Sequence, residues 1–102
     1  MNAYLYKLIS PRPNFVGNMT AQESKFMQEH ALYWRRLVEK GIAITFGLVL
    51  DPKEAWGVAI FKAEDERGAR SIIENDPAVK GGLTFELLPM RSATTQEHLK
   101  KN

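Results

Sequence analysis

Apolar residues fall on both sides of the chain over Ala3 to Ser10, with Tyr4, Tyr6 and Leu8 on one side and Leu5 and Ile9 on the other. Aromatic and branched residues in that rhythm predict a central β-strand, ended by Pro11 and Pro13. A loop over Pro11 to Met19 leads to Thr20-Ala21-Gln22-Glu23, the pattern of a capping box. There the threonine hydroxyl accepts from the backbone three residues on, and the glutamate reaches back to the cap. The helix that follows carries Phe26, Met27, His30, Ala31, Trp34, Leu37 and Val38 at the spacing of one buried face, and Gly41 stops it.

Ile42 to Leu50 is β-prone, Asp51-Pro52-Lys53-Glu54 is a turn, and Ala55 to Ala63 returns as the second arm of a hairpin. A second helix starts at Asp65 or Glu66, buries Ala69, Ile72 and Ile73, and ends at Asn75-Asp76-Pro77, because the residue before proline avoids the α region. Gly81-Gly82 turns the chain into a last strand, Leu83 to Leu88, closed by Pro89. The order βαββαβ with right-handed crossovers predicts an α+β, ferredoxin-like fold: an antiparallel sheet with both helices on one face. The expected domain is 1–91, with a polar tail over 92–102. The other sheet face keeps apolar residues that a second copy would cover, so a homodimer through the sheets is expected.

Composition narrows the chemistry. At 102 residues the chain makes one core, and 44% hydrophobic with 25% charged residues is a globular balance. The absence of cysteine removes disulfides, thiol nucleophiles and cysteine-based zinc sites. With two histidines, one in the tail, no histidine-rich metal centre and no cofactor are expected. The net charge is +2 and the basic residues are scattered among acids, unlike the dense stripe that nucleic acid requires. No run approaches the ~20 apolar residues of a membrane span, and the N-terminus lacks a signal-type segment. The expected location is cytoplasmic. Phosphate-loop and nucleophile-elbow motifs are missing.

Two residues stand out as candidates. His30 lies on the apolar stripe of the first helix, where both ring nitrogens need partners and the surroundings can tune a base near neutral pH. A hydrogen-bonded core histidine would occupy the same place. Asp76 closes the second helix at the negative end of the helix dipole, an unfavourable position for a carboxylate. An ordinary helix-ending turn would also account for it. Arg12, Phe15 and Trp34 are candidate substrate-binding residues beside the competing readings of solvated cation and core. Asp51 is a weaker candidate, explained by its turn, and His98 lies in the tail.

Several short motifs, in order, resemble the YCII-related (YciI-like) family. They are Arg12-Pro13-Asn14-Phe15, His30-Ala31-Leu32-Tyr33-Trp34, Gly41, Gly47-Leu48-Val49-Leu50-Asp51, Ala55-Trp56-Gly57-Val58, Asn75-Asp76-Pro77 and Pro89-Met90. Leu48-Val49 departs from the glycine-proline of many members. The resemblance implies a dimeric α/β-barrel of ferredoxin-like units. It also implies a histidine–aspartate pair, matched here by His30 and Asp76, in a pocket between helices and sheet. The expectation is a metal-independent enzyme in which His30, oriented by Asp76, is general acid or base on a small cyclic or aromatic compound. The reaction class is isomerisation or elimination, dehydrochlorination included. The rival expectation is a non-catalytic, dimeric module that binds a small ligand.

Overall fold

The alternation along the first strand becomes the centre of the sheet. A computed structural model describes residues 2–91, so His98 and the rest of the tail lie outside the described residues. The elements are β1 (Asn2–Ile9), a 3₁₀ turn (Phe15–Gly17), α1 (Ala21–Glu39), β2 (Ala43–Val49), β3 (Trp56–Ala63), α2 (Glu66–Glu74), α3 (Pro77–Lys80) and β4 (Thr84–Met90). The four strands lie in the order β2-β3-β1-β4, all antiparallel. This is the ferredoxin-like arrangement expected from the order of elements.

The local signals work as anticipated. Thr20 Oγ1 accepts from the Glu23 N–H at 3.1 Å, and the Glu23 carboxylate accepts from the Thr20 N–H at 2.8 Å. At the other end of α1, Gly41 takes φ 77°. Its N–H bonds the Val38 carbonyl and the Ile42 N–H bonds the Leu37 carbonyl, which satisfies two otherwise orphaned acceptors.

The core lies between α1, α2 and the sheet face that carries Tyr4, Tyr6, Leu8, Ala59 and Phe61. Trp34 is its hub, stacked on Tyr6 with ring centroids 5.3 Å apart and edge-on to Phe61 at 5.5 Å. The register puts Leu5 between Ile60 and Leu88 on the opposite face, beside Val58 and Ile9.

Four expectations change. Asn75-Asp76-Pro77 does not simply end a helix, because Pro77 opens the short helix α3, where proline's missing N–H costs nothing. Pro89 lies within β4, not beyond it; β4 is an edge strand, so an absent donor is tolerated there. Ala31 and Val38, at the margin of the α1 stripe, are exposed. Strand and helix boundaries move by one or two residues.

Candidate functional site

Asp76 has no solvent exposure and is the one charged residue in the buried core among those described. Sequence placed it at the wrong end of a helix dipole; it is the N-cap of α3, and its Oδ1 accepts from the Ala78 N–H at 2.9 Å. Removing a carboxylate from water costs several kcal/mol unless its lone pairs are filled. Here they are. Oδ2 accepts from the Tyr6 hydroxyl at 2.8 Å and from the Trp34 indole N–H at 2.8 Å. Nδ1 of His30 lies 2.9 Å from Oδ1 and 2.8 Å from Oδ2.

Electrostatics follow from that packing. Burial pushes the Asp76 carboxyl up, but the hydrogen bond and charge of His30, with Trp34 and the Ala78 N–H, outweigh it and hold the group below its ordinary value. The carboxylate is therefore ionised at neutral pH and is only an acceptor. Nδ1 must carry the proton. In neutral His30 the lone pair then belongs to Nε2.

Nε2 has no hydrogen-bond partner among the described residues, and no buried side-chain nitrogen or oxygen among them lacks a partner. The His30 side chain is 15% exposed. Such an arrangement can serve as a fixed base, with one imidazole edge held against Asp76.

Tyr6 was missed in the sequence because the rhythm of β1 accounts for it fully as a core residue. Burial first, then the charge and hydrogen bond of Asp76, push its phenol far above its ordinary range. Tyr33, whose hydroxyl donates to the Ile72 carbonyl at 2.6 Å, is pushed up to about 12 by burial and by Asp76.

Of the three candidate substrate-binding residues, Trp34 joins the pair through Asp76, and Arg12 and Phe15 lie apart from it in the loop after β1. Arg12 makes a bidentate pair with Glu23 at 2.8 and 2.7 Å and also donates to Asn18. Hydrogen bonds from Arg12 and from the Thr20 backbone hold the Glu23 carboxyl down to about 2. Arg12 thus ties the loop after β1 to the start of α1. Phe15 is buried, with the Arg12 guanidinium 5.4 Å from its ring centre. Trp34 is fully buried with its N–H on Asp76. Asp51 accepts from the Lys53 N–H and the Trp56 indole, as a turn residue does.

A groove of about 730 Å³ runs along the flank of α1 and α3, past Phe26, Tyr33, Pro77 and Gly81. Its walls adjoin the pair in sequence but do not include His30 or Asp76, and none of Arg12, Phe15 and Trp34 lines it. The groove and the hydrogen-bonded pair are therefore separate features. Among the described residues no three histidine, aspartate or glutamate side chains gather as metal ligands, and no helix is long and apolar enough to cross a membrane.

The YCII-related domain profile matches residues 4–99. The chain belongs to the YCII-related family. Among solved structures it is similar to 5-chloro-2-hydroxyhydroquinone dehydrochlorinase (TftG) from Burkholderia phenoliruptrix in complex with 2,5-dihydroxybenzoquinone. The identity is 18%, the TM-score is 0.56, and the alignment covers 92% of this chain and 97% of that one. At that identity the likeness establishes the fold. Among curated proteins nothing matches.

Proposed function

We propose that this YCII-related protein is a small-molecule enzyme that moves a proton with Nε2 of His30. The observation that carries the reading is the saturation of Asp76. A carboxylate whose oxygens meet Tyr6, Trp34, His30 and the Ala78 N–H keeps the His30 proton on Nδ1 and leaves Nε2 as the base. When Nε2 takes a proton, the imidazolium faces an anion already in place, with no reorganisation required. Asp76 orients and stabilises; it does not itself accept the proton.

The substrate class is a small cyclic or aromatic compound with an acidic hydroxyl or carbon, and the reaction an isomerisation or elimination. In a dehydrochlorination, the proton goes to Nε2, its electron pair forms the new π bond, and chloride leaves with the C–Cl pair. Arg12, Phe15 and Trp34 enter as supports and not as contacts: the first two hold the loop after β1, the third holds Asp76. The protein acts as a cytoplasmic homodimer, with the apolar outer sheet face covered by a second copy.

The test is a panel of hydroxylated and chlorinated aromatics, with 2,5-dihydroxybenzoquinone as the binding probe and 5-chloro-2-hydroxyhydroquinone as the chloride-release probe. The expected result is that the binding probe moves the His30 Nε2 resonance, and that His30→Gln loses turnover by roughly 10²–10⁴-fold. Equal binding and equal chemistry in His30→Gln would overturn it. The groove along α1 and α3, which does not reach the pair, favours a second reading. In it the protein is a dimeric, non-catalytic small-ligand module, and ligands bind with His30 unaffected.

A further inference from the structure

We infer that Tyr6 is a positioning residue for His30: its hydroxyl, fixed on the central strand, shares the charge of Asp76 and so sets how strongly that carboxylate pulls on the imidazole. The inference rests on the reading of His30 as the proton-transfer group.

Three features of the geometry lead to it. The other donors to Asp76 come from the helices: His30 and Trp34 from α1, and the Ala78 N–H from α3. Tyr6 alone among these partners comes from the sheet, so it fixes where the carboxylate stands relative to β1. Its hydroxyl makes one side-chain hydrogen bond, 2.8 Å to Oδ2, and that is the oxygen at 2.8 Å from Nδ1. The phenol is 1% exposed, so no water can replace it as a donor without moving the core.

A packing role and a positioning role predict different outcomes for Tyr6→Phe. Each donor to a carboxylate disperses its charge, and in a buried site the effect is strong. If Tyr6 disperses the charge of Asp76, its removal concentrates that charge on His30 and makes the imidazolium easier to form. If Tyr6 only fills space, the ring that phenylalanine keeps fills it equally, and the imidazolium forms as before. The titratable groups facing the pair are Tyr6 from β1 and Tyr33 from α1, both protonated across the pH range that matters. Among the described residues no second carboxylate and no other cation forms an ion pair with it.

The experiment is an NMR titration of the His30 ring in the full chain, free of ligand, in wild type, Tyr6→Phe and Asp76→Asn. The expected result is that the Tyr6→Phe midpoint rises by about half a unit or more, while Asp76→Asn lowers it. Site-specific replacement of Tyr6 by 3-fluorotyrosine, a stronger donor that keeps the hydroxyl, is expected to lower the midpoint slightly and retain the fold. It decides the matter if Tyr6→Phe does not fold. A midpoint that is unmoved or falls in Tyr6→Phe, or one unmoved in the fluorotyrosine protein, would overturn the inference. The titration needs no substrate, so it fails or succeeds apart from the proposed activity. A midpoint that follows Tyr6, in a protein whose chemistry survives His30→Gln, sinks the enzymatic reading alone.

Discussion

Nδ1 of His30 stands 2.9 and 2.8 Å from the two oxygens of Asp76, a carboxylate with no solvent exposure. That relationship separates two substitutions at one position. Asp76→Ala leaves the Tyr6 hydroxyl, the Trp34 indole and His30 without their shared acceptor, and is expected to cost about 3–5 kcal/mol in denaturant unfolding. Asp76→Asn keeps the shape and one acceptor oxygen, so it should fold. With the amide oxygen kept by the Tyr6 and Trp34 donors, its N–H₂ takes the place of Oδ1, 2.9 Å from Nδ1, and the expected outcome is that Nδ1 accepts and the neutral-state proton moves to Nε2. A long-range proton–nitrogen spectrum reads the switch directly, and a proton still on Nδ1 in Asp76→Asn would contradict it.

Stability should fall toward acid because of the same carboxylate. The folded state holds the Asp76 value below the ordinary one, so the unfolded chain takes up protons first as pH drops. The contribution is complete above the unfolded value of about 4 and is lost as pH falls through the folded value. In urea unfolding, the stability gap between wild type and Asp76→Asn should narrow from neutral pH to about pH 3. A constant gap would mean that folding leaves the Asp76 value where it stands in the unfolded chain.

The opposite limb belongs to the phenols. Tyr33 titrates near 12 in the fold and Tyr6 higher still, against about 10 when unfolded. Raised values in an acid group favour the protonated form, so stability is unaffected below about 10 and declines as pH rises beyond it. Tyrosinate absorbance from these two residues should appear together with the loss of far-ultraviolet circular dichroism. Smooth ionisation near 10 with the fold intact would contradict their burial.

How much of this was legible in the sequence depends on the range of each interaction. The capping box at Thr20, the glycine stop at Gly41 and the alternation of β1 are local, and each appears where the spacing put it. His30 and Asp76 stood out because a titratable residue on an apolar stripe and an acid at an apparent helix C-terminus both break a local rule. The reason for Asp76 was misread: α3 is only four residues long, too short for periodicity to declare, so the N-cap looked like a helix end. Tyr6 and Trp34 break no local rule. Their polar atoms meet Asp76 across 70 and 42 positions, and nothing in β1 or α1 alone shows that a hydroxyl and an indole N–H share one acceptor.

Gly81 is held by a close approach rather than by its dihedral angles. A Cβ placed there would lie 2.5 Å from Cδ2 and 2.6 Å from Cε2 of Phe26, so the end of α3 seats against α1 only while that position has no side chain. Gly81→Ala should cost about 1–3 kcal/mol as the ring or the helix gives way. Phe26→Ala alone leaves a cavity and also destabilises. The double variant removes the clash and should be more stable than the sum of the two single losses implies, a coupling that a double-mutant cycle measures. Strict additivity would show that the two residues do not press on each other.

The outer sheet face carries the last prediction. Leu5 sits between Ile60 and Leu88 in register, and Leu88 is half exposed. Lys7 lies on the same face, 4.8 Å from the centre of the Trp56 ring and directly across from Glu86. An apolar centre bordered by paired polar groups is the surface that a two-fold copy can match with itself. Ile60→Glu places a charge at that centre without touching the helix-covered core. It should therefore convert a dimer to a folded monomer in sedimentation at micromolar concentration. Because burial of the sheet adds to stability by mass action, the melting temperature of wild type should rise with concentration and that of Ile60→Glu should not. A wild type that sediments as a monomer across that range would leave the sheet uncovered and remove the dimer from the proposed function.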